Sequence, residues 1–255
     1  MELTNEMDLQ HIRYVKEDKI AHVILNRPEK LNAYTNLTTT ELYRVWEDYR
    51  LDNNLRVAIL SGAGKSFCAG HDLREYEAIL TEPPSLHYET IKIYKPIICA
   101  YQGYALGGGA SLVFACDVII CSEEAQIGYP QSKGGVVSIG GPPKLPRLIP
   151  ALAKWYLFSG ELIDAQEAYR LGLVLKVVPK DKLMEEATKL AKLLCERSPL
   201  SISHMKEVVE RGKNLSLDAT IELSKDVATR AEHAESFQDS LDAFKEKRAP
   251  KWKEQ

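Results

Sequence analysis

After a polar start the chain carries two short runs of β-branched and aromatic residues, IRYV and IAHVIL, on either side of the polar stretch KEDK. This pattern predicts a β-hairpin that ends at Pro28. From Thr38 to Arg50 the period changes: Leu42, Val45 and Trp46 recur at helical spacing, so a helix with one face on the sheet is expected. VAILSG reads as a buried strand, and GAGKSFCAGHDLREYEAIL as a glycine-rich loop followed by a helical pattern that TEPPS breaks. PIICAYQG predicts the next strand, residues 110–116 a helix and VIICS another strand. YPQSKGGVVSIGGPPKLP, with four glycines and four prolines, predicts a long irregular loop. Strand, glycine loop and helix recur through the first half without a close sequence repeat, which indicates βα layers and excludes a short-period solenoid. Beyond Pro150 residues 151–160, 164–172, 180–197, 201–212 and 215–232 and the segment SFQDSLDAFKEKR read as helices, with LVLKVVP as the clear strand among them.

The 255 residues approach the upper size of one domain, so one large core with a short helical appendix is expected. With 33 basic and 36 acidic residues the net charge is −3, which argues against a chain-wide nucleic-acid or membrane-surface binder and leaves any basic site local. Cys68, Cys99, Cys116, Cys121 and Cys195 lie mostly in apolar runs without CxxC spacing and read as reduced core residues of a cytosolic protein. MELTNEMDLQ lacks the basic and apolar regions of a leader, and no apolar stretch approaches the roughly 20 residues of a membrane helix. The expectation is a soluble, cytoplasmic protein.

Two glycine loops carry the candidate chemistry. FCAGHDL and YALGGGASL each set backbone N–H groups just before a helical segment, an arrangement that binds an anion or a developing oxyanion. One such loop alone is more simply a tight strand-to-helix packing device; two in one chain favour the binding reading. A phosphate cradle fails on spacing. GKS at residues 64–66 matches the end of a P-loop, but Ile59 occupies the position of its first glycine, and GYALGG is not the GxGxxG of a dinucleotide fold.

The segments VILNRPEKLNA, FCAGHDL, KPIICAYQGYALGGGASLVFACDVIICSEEAQIGYPQ, SGELIDAQEAYRLGLVLKVVP and AFKEKRAPKW, in that order, cover nearly the whole chain. Together they identify it as resembling the crotonase (enoyl-CoA hydratase/isomerase) family. The resemblance implies an α/β fold, a spiral of ββα units over residues 1–197 that binds acyl-CoA. A C-terminal helical region, 198–255, would cover the CoA and serve oligomerisation. It implies a homotrimer or dimer of trimers, an acyl-CoA substrate and no permanently bound cofactor, coenzyme A entering as part of the thioester. Two backbone N–H groups hold the thioester oxygen in such enzymes, and the motif puts them at His71 and Gly108. Lys30, Leu31, Ala33, Ala69 and His71 match positions lining the CoA pocket. Phe244 and Lys247 match tail positions that touch CoA from a neighbouring subunit.

The chain departs from the family pattern at the acids. A typical hydratase carries two glutamates where this sequence has Ser111 and Gln131, and neither substitute is a carboxylate base. Both are kept as catalytic candidates that order water or a substrate hydroxyl, against the simpler reading that they fill polar space. His71 is the remaining titratable candidate, its ordinary pKa near 6.5 suiting proton transfer at neutrality. Some decarboxylating relatives also carry AGHD. The reaction expected first is hydration/dehydration or double-bond isomerisation of an unsaturated acyl-CoA. The alternatives are decarboxylation of a malonyl-type acyl-CoA using His71, with Lys133 and Lys144 as the cations of the loop, and a non-catalytic acyl-CoA-binding paralogue.

Around these residues, Asp72 with Glu75 reads as a capping box, and Tyr129, beside the position of the second acid, as a packed aromatic, the alternative being a phenol that donates a proton into the acyl pocket. Val136, Val137, Ser138 and Ile139 are expected to shape its acyl end. His22 reads as structural, and His11, His87, His204 and His233 have no ligand-like spacing, so no metal site is expected.

Overall fold

The computed structural model describes residues 7–75, 92–232 and 235–252. Its frame is a six-stranded sheet of order β1-β2-β3-β4-β6-β9, built from β1 (Ile12–Glu17), β2 (Ile20–Leu25), β3 (Val57–Gly62), β4 (Ile97–Tyr101), β6 (Val118–Ser122) and β9 (Lys176–Val178). The first two strands form the expected antiparallel hairpin, in register Ile12↔Leu25 to Glu17↔Ile20, and every later neighbour is parallel. Parallel strands buried on both faces read as continuous apolar runs, which is why VAILSG and IICAY were legible as strands. Ala58, Leu60, Cys99, Tyr101 and Cys121 point into one core; Val57, Ile59, Ile98, Ala100 and Ile120 point into the other.

Helix α1 (Asn36–Leu51) closes the first core. Thr35 and Thr38 form a reciprocal capping box at its start, and Leu42, Val45, Trp46 and Tyr49 are buried on one face. Leu42 and Val45, withdrawn from water, each contribute about 1.5–3 kcal/mol. Buried Glu41 anchors the chain before β1, its carboxylate accepting the N–H groups of Gln10, His11 and Ile12 at 2.8–3.0 Å.

The individual strands of a second layer are not read from the hydrophobic pattern. The strands β5 (Tyr104–Leu106), β7 (Gln126–Gly128) and β8 (Ile163–Asp164) form a sheet of order β5-β7-β8. With two or three residues each, they are too short for alternation to register in a sequence. β5 follows β4 after Gln102 and Gly103, and β7 follows β6 after a similar corner, so successive turns of the chain each lay one strand in the large sheet and one in the small layer. Helix α2 (Gly108–Val113) leaves β5 directly. This is the expected spiral of ββα units.

The segment expected to be irregular contains a 3-10 turn, Pro130–Gly134, and helix α3, Gly141–Leu148. Pro142 and Pro143 stand in the first turn of α3, where the N–H that proline lacks has no intrahelical partner to lose. Helices α4 (Ala153–Ser159), α5 (Ala165–Arg170), α6 (Leu183–Cys195), α7 (Pro199–Gly212), α8 (Leu217–Glu232) and α9 (Glu235–Glu246) follow. α6 lays Leu183, Ala187 and Ala191 on the second core. Glu207 of α7, buried, receives Arg211 and also Arg230 of α8, tying the helical region together. Among the described residues, no helix is long and apolar enough to cross a membrane.

Candidate active site

Two loops of the small layer meet through one backbone pairing. Cys68 and Ala105 form an isolated parallel bridge; the Cys68 N–H donates to Tyr104 O and the Leu106 N–H to Cys68 O, each at 2.9 Å. Three residues beyond these partners the chain reaches His71 and Gly108, so the bridge brings the two glycine loops side by side. Gly70, at φ +100°, lets the first loop pass Leu106 O, which a Cβ would approach to 3.0 Å. Gly108 occupies the first helical position of α2, where an N–H has no intrahelical acceptor. Among the described residues, neither the His71 N–H nor the Gly108 N–H donates to a backbone carbonyl.

Tyr34 lies under both loops, and the sequence analysis missed it. It pairs with His71 in a second parallel bridge, with Tyr34 N–H donating to Gly70 O at 2.9 Å and Asp72 N–H to Tyr34 O at 3.0 Å. The Tyr34 phenol oxygen is 2.6 Å from His71 Nδ1, the ring centroids 3.9 Å apart. A Cβ on Gly108 would overlap the same phenol, so only glycine fits there. Burial pushes the Tyr34 hydroxyl well above its ordinary value and the His71 imidazole down to about 4. The expectation that His71 titrates near neutrality is thereby corrected: partly withdrawn from water, it is a neutral imidazole at pH 7.

Ser111 and Gln131 converge on the other side. Ser111, on α2, is buried and its Oγ lies 3.1 Å from the Tyr129 hydroxyl, itself buried at the end of β7. Gly140 passes so close that a Cβ there would overlap Ser111 Oγ. Gln131 stands in the 3-10 turn after Tyr129; its Nε2 lies 2.9 Å from where a Cβ on Gly107 would be, and its buried Oε1 has no hydrogen-bond partner among the described residues. Of the expected acyl wall, Val137 and Ile139 are 85% and 80% exposed in the single chain, and Ser138 Oγ accepts the Gly141 N–H at the start of α3. Lys133 pairs with Glu161 at 2.9 Å.

The residues expected along the CoA come together at one edge. The Ala69 N–H donates to Leu31 O at 3.0 Å, with Lys30 and Leu31 exposed and Ala33 half-buried. Asn32 explains this join: buried in the left-handed region (φ +54°), it accepts the Arg27 N–H and donates to Ala63 O and Ser66 O at 2.7–2.9 Å. Asp72 does cap the turn Leu73–Glu75, accepting the Arg74 N–H, but its carboxylate is chiefly held by the Arg74 guanidinium and reached by Arg27. These guanidinium contacts hold it far below the usual carboxylate range; the Glu75 side chain lies outside the described residues. Phe244, 85% exposed, and Lys247 stand at the end of α9, and among the described residues no hydrogen bond or ion pair links them to the pocket.

Of the other histidines, His204 keeps a buried Nδ1 with no hydrogen-bond partner among the described residues, and the rest have structural surroundings or fall outside. His11 Nδ1 sits 2.9 Å from Thr38 Oγ1 and 3.1 Å from Thr35 Oγ1; His22, in β2, is pushed down by burial; His87 and His233 lie outside the described residues. All five cysteines are free thiols, and burial raises Cys68 to about 12. Among the described residues, no group of three or more His, Cys, Asp and Glu could hold a metal ion.

Comparison with known proteins agrees with this architecture. Residues 15–255 match the sequence profile of enoyl-CoA hydratase/isomerase. The carnitinyl-CoA dehydratase of Proteus mirabilis is 36% identical, over 96% of this chain and 98% of its own. The (E)-benzylidenesuccinyl-CoA hydratase of Thauera aromatica is 37% identical, over 91% of this chain and 94% of its own. The structure of enoyl-CoA hydratase subunit I from Geobacillus kaustophilus superposes with a TM-score of 0.92 at 30% identity, covering 98% of this chain and all of that one. Family profile, relatives and fold thus converge on one assignment, and the chain belongs to the enoyl-CoA hydratase/isomerase, or crotonase, family.

Proposed function

We propose that the protein adds water to, or removes it from, the acyl group of a CoA thioester. The observation that supports this reading is the pairing of Cys68 with Ala105, three residues before His71 and Gly108, whose N–H groups donate to no backbone carbonyl among the described residues. Donors fixed in this way stabilise the thioester oxygen as charge develops on it, without reorganising during reaction. In the hydration direction the water oxygen bonds to Cβ as its proton passes to the Ser111–Tyr129 hydroxyl pair, the π electrons move onto the thioester oxygen, and the enolate then takes a proton back from that pair at Cα. Two of the relatives bear names of enzymes that hydrate or dehydrate acyl-CoA, which supports water chemistry over double-bond migration.

Proton transfer without carboxylates follows from the hydroxyl pair. A hydroxyl that passes on one proton as it receives another undergoes no net ionisation, so Ser111 and Tyr129, 3.1 Å apart, relay where a single serine could not act as a base. Gln131 Oε1, buried and without a partner among the described residues, accepts a hydrogen bond from the water or the substrate hydroxyl. The CoA lies along Lys30, Leu31, Ala33 and Ala69, with Phe244 and Lys247 reaching it from a neighbouring copy in a trimer or dimer of trimers.

A second reading, decarboxylation of a malonyl-type thioester, draws on the lack of a carboxylate at positions 111 and 131 and on the neutral His71. A mass-spectrometric screen of acyl-CoA thioesters separates the two. Gain or loss of water supports hydration; loss of CO₂ from methylmalonyl-CoA with no turnover of unsaturated thioesters replaces it; tight binding without turnover of any thioester rejects both.

A further inference from the structure

The contact between Tyr34 and His71 assigns a proton. Tyr34 is 1% exposed, its hydroxyl keeps its proton, and among the described residues the hydrogen-bond partner of its oxygen is His71 Nδ1 at 2.6 Å. A buried phenol O–H needs an acceptor, so it donates to Nδ1. A neutral imidazole that accepts at Nδ1 carries its hydrogen on Nε2. Among the described residues the hydrogen bond of the ring is the one at Nδ1, and Nε2 has no partner. The ring is also held mechanically: it lies at 51° against the Tyr34 ring, and the backbones on either side are stitched together by the bridge.

We infer that Tyr34 is a positioning residue that fixes His71 as the Nε2–H tautomer, so that the ring offers a hydrogen-bond donor to the bound thioester beside the backbone N–H of the same residue. The same phenol rests against Gly108 Cα, so one buried side chain sets both halves of the donor pair. Its use in turnover rests on the acyl-CoA reading; the tautomer does not.

Long-range proton–nitrogen NMR of ¹⁵N-histidine-labelled full-length protein reads the tautomer directly, with His71→Gln supplying the assignment. In the wild type at pH 7, Nδ1 is expected as an unprotonated nitrogen and Nε2 as a protonated one; in Tyr34→Phe the two forms mix. On a thioester that the screen shows to be turned over, Tyr34→Phe lowers kcat about tenfold with KM little changed, the scale expected for losing an orienting partner of an active imidazole. A protonated Nδ1 in the wild type overturns the inference even if the variant fails to fold, and so does an unaltered tautomer in Tyr34→Phe. Because the spectrum is taken on the free protein, a fixed Nε2–H together with a barren thioester screen rejects the catalytic reading and retains the tautomer assignment.

Discussion

The Ser111 hydroxyl and the Tyr129 phenol oxygen lie 3.1 Å apart, both side chains buried, at the positions where α2 and the end of β7 meet. A relay of two hydroxyls fails completely when either link is removed. Ser111→Ala and Tyr129→Phe should therefore each lower kcat about 10²-fold, the lower end of what positioned proton transfer contributes. The double variant should be no slower than about 10²-fold as well. Steady-state kinetics on all three decide it; losses that multiply would mean two independent roles.

Gly108→Ala tests the packing of the donor loop. Its Cβ would overlap the Tyr34 phenol, with Tyr34 Cζ only 2.5 Å away. Overpacking of this kind costs about 1–3 kcal/mol. Thermal unfolding should show a lower Tm for the single variant and partial recovery in Tyr34→Ala/Gly108→Ala, where space is restored. An undiminished Tm in Gly108→Ala would contradict the contact.

His71 makes a signed contribution to stability against pH. Its folded pKa is pushed down to about 4 from an unfolded value of 6.5, so between these limits the unfolded chain binds the extra proton. The stability held above pH 6.5 is lost as pH falls toward 4. Urea unfolding at intervals across this window should be steeper in pH for the wild type than for His71→Gln. The rate should show no His71 ionisation from pH 6 to 8.

Asn32→Ala removes three hydrogen bonds of a buried side chain at once and leaves the Arg27 N–H, Ala63 O and Ser66 O without that partner. It also puts alanine at φ +54°, a conformation that asparagine tolerates better. A destabilisation of about 2–4 kcal/mol is expected by denaturant titration. At temperatures where the variant stays folded, KM for a CoA thioester should rise more than kcat falls, because Asn32 supports the edge formed by Leu31 and Ala69 and touches none of Ser111, Tyr129 and Gln131.

The sequence by itself determined the strands of the large sheet, because parallel strands buried on two faces must be continuously apolar, as in IICAY. It determined the two glycine loops for a related reason: close backbone approach excludes a side chain, and Gly108 and Gly70 have no room for a Cβ without displacement. The family, too, was legible, since its motifs span the chain in order and the profile match covers residues 15–255. Tertiary structure alone decided the rest. β5, β7 and β8 exist through pairing and not through periodicity, being two or three residues long. Tyr34 stood unremarked in EKLNAYT because its partner is 37 positions away, and Ser111 and Tyr129 are 18 apart. The ionisation of His71 follows from how much water its neighbours exclude. Sequence records which groups are present, but hydrogen bonds and desolvation depend on distance in space, and that is set only when the layers close on one another.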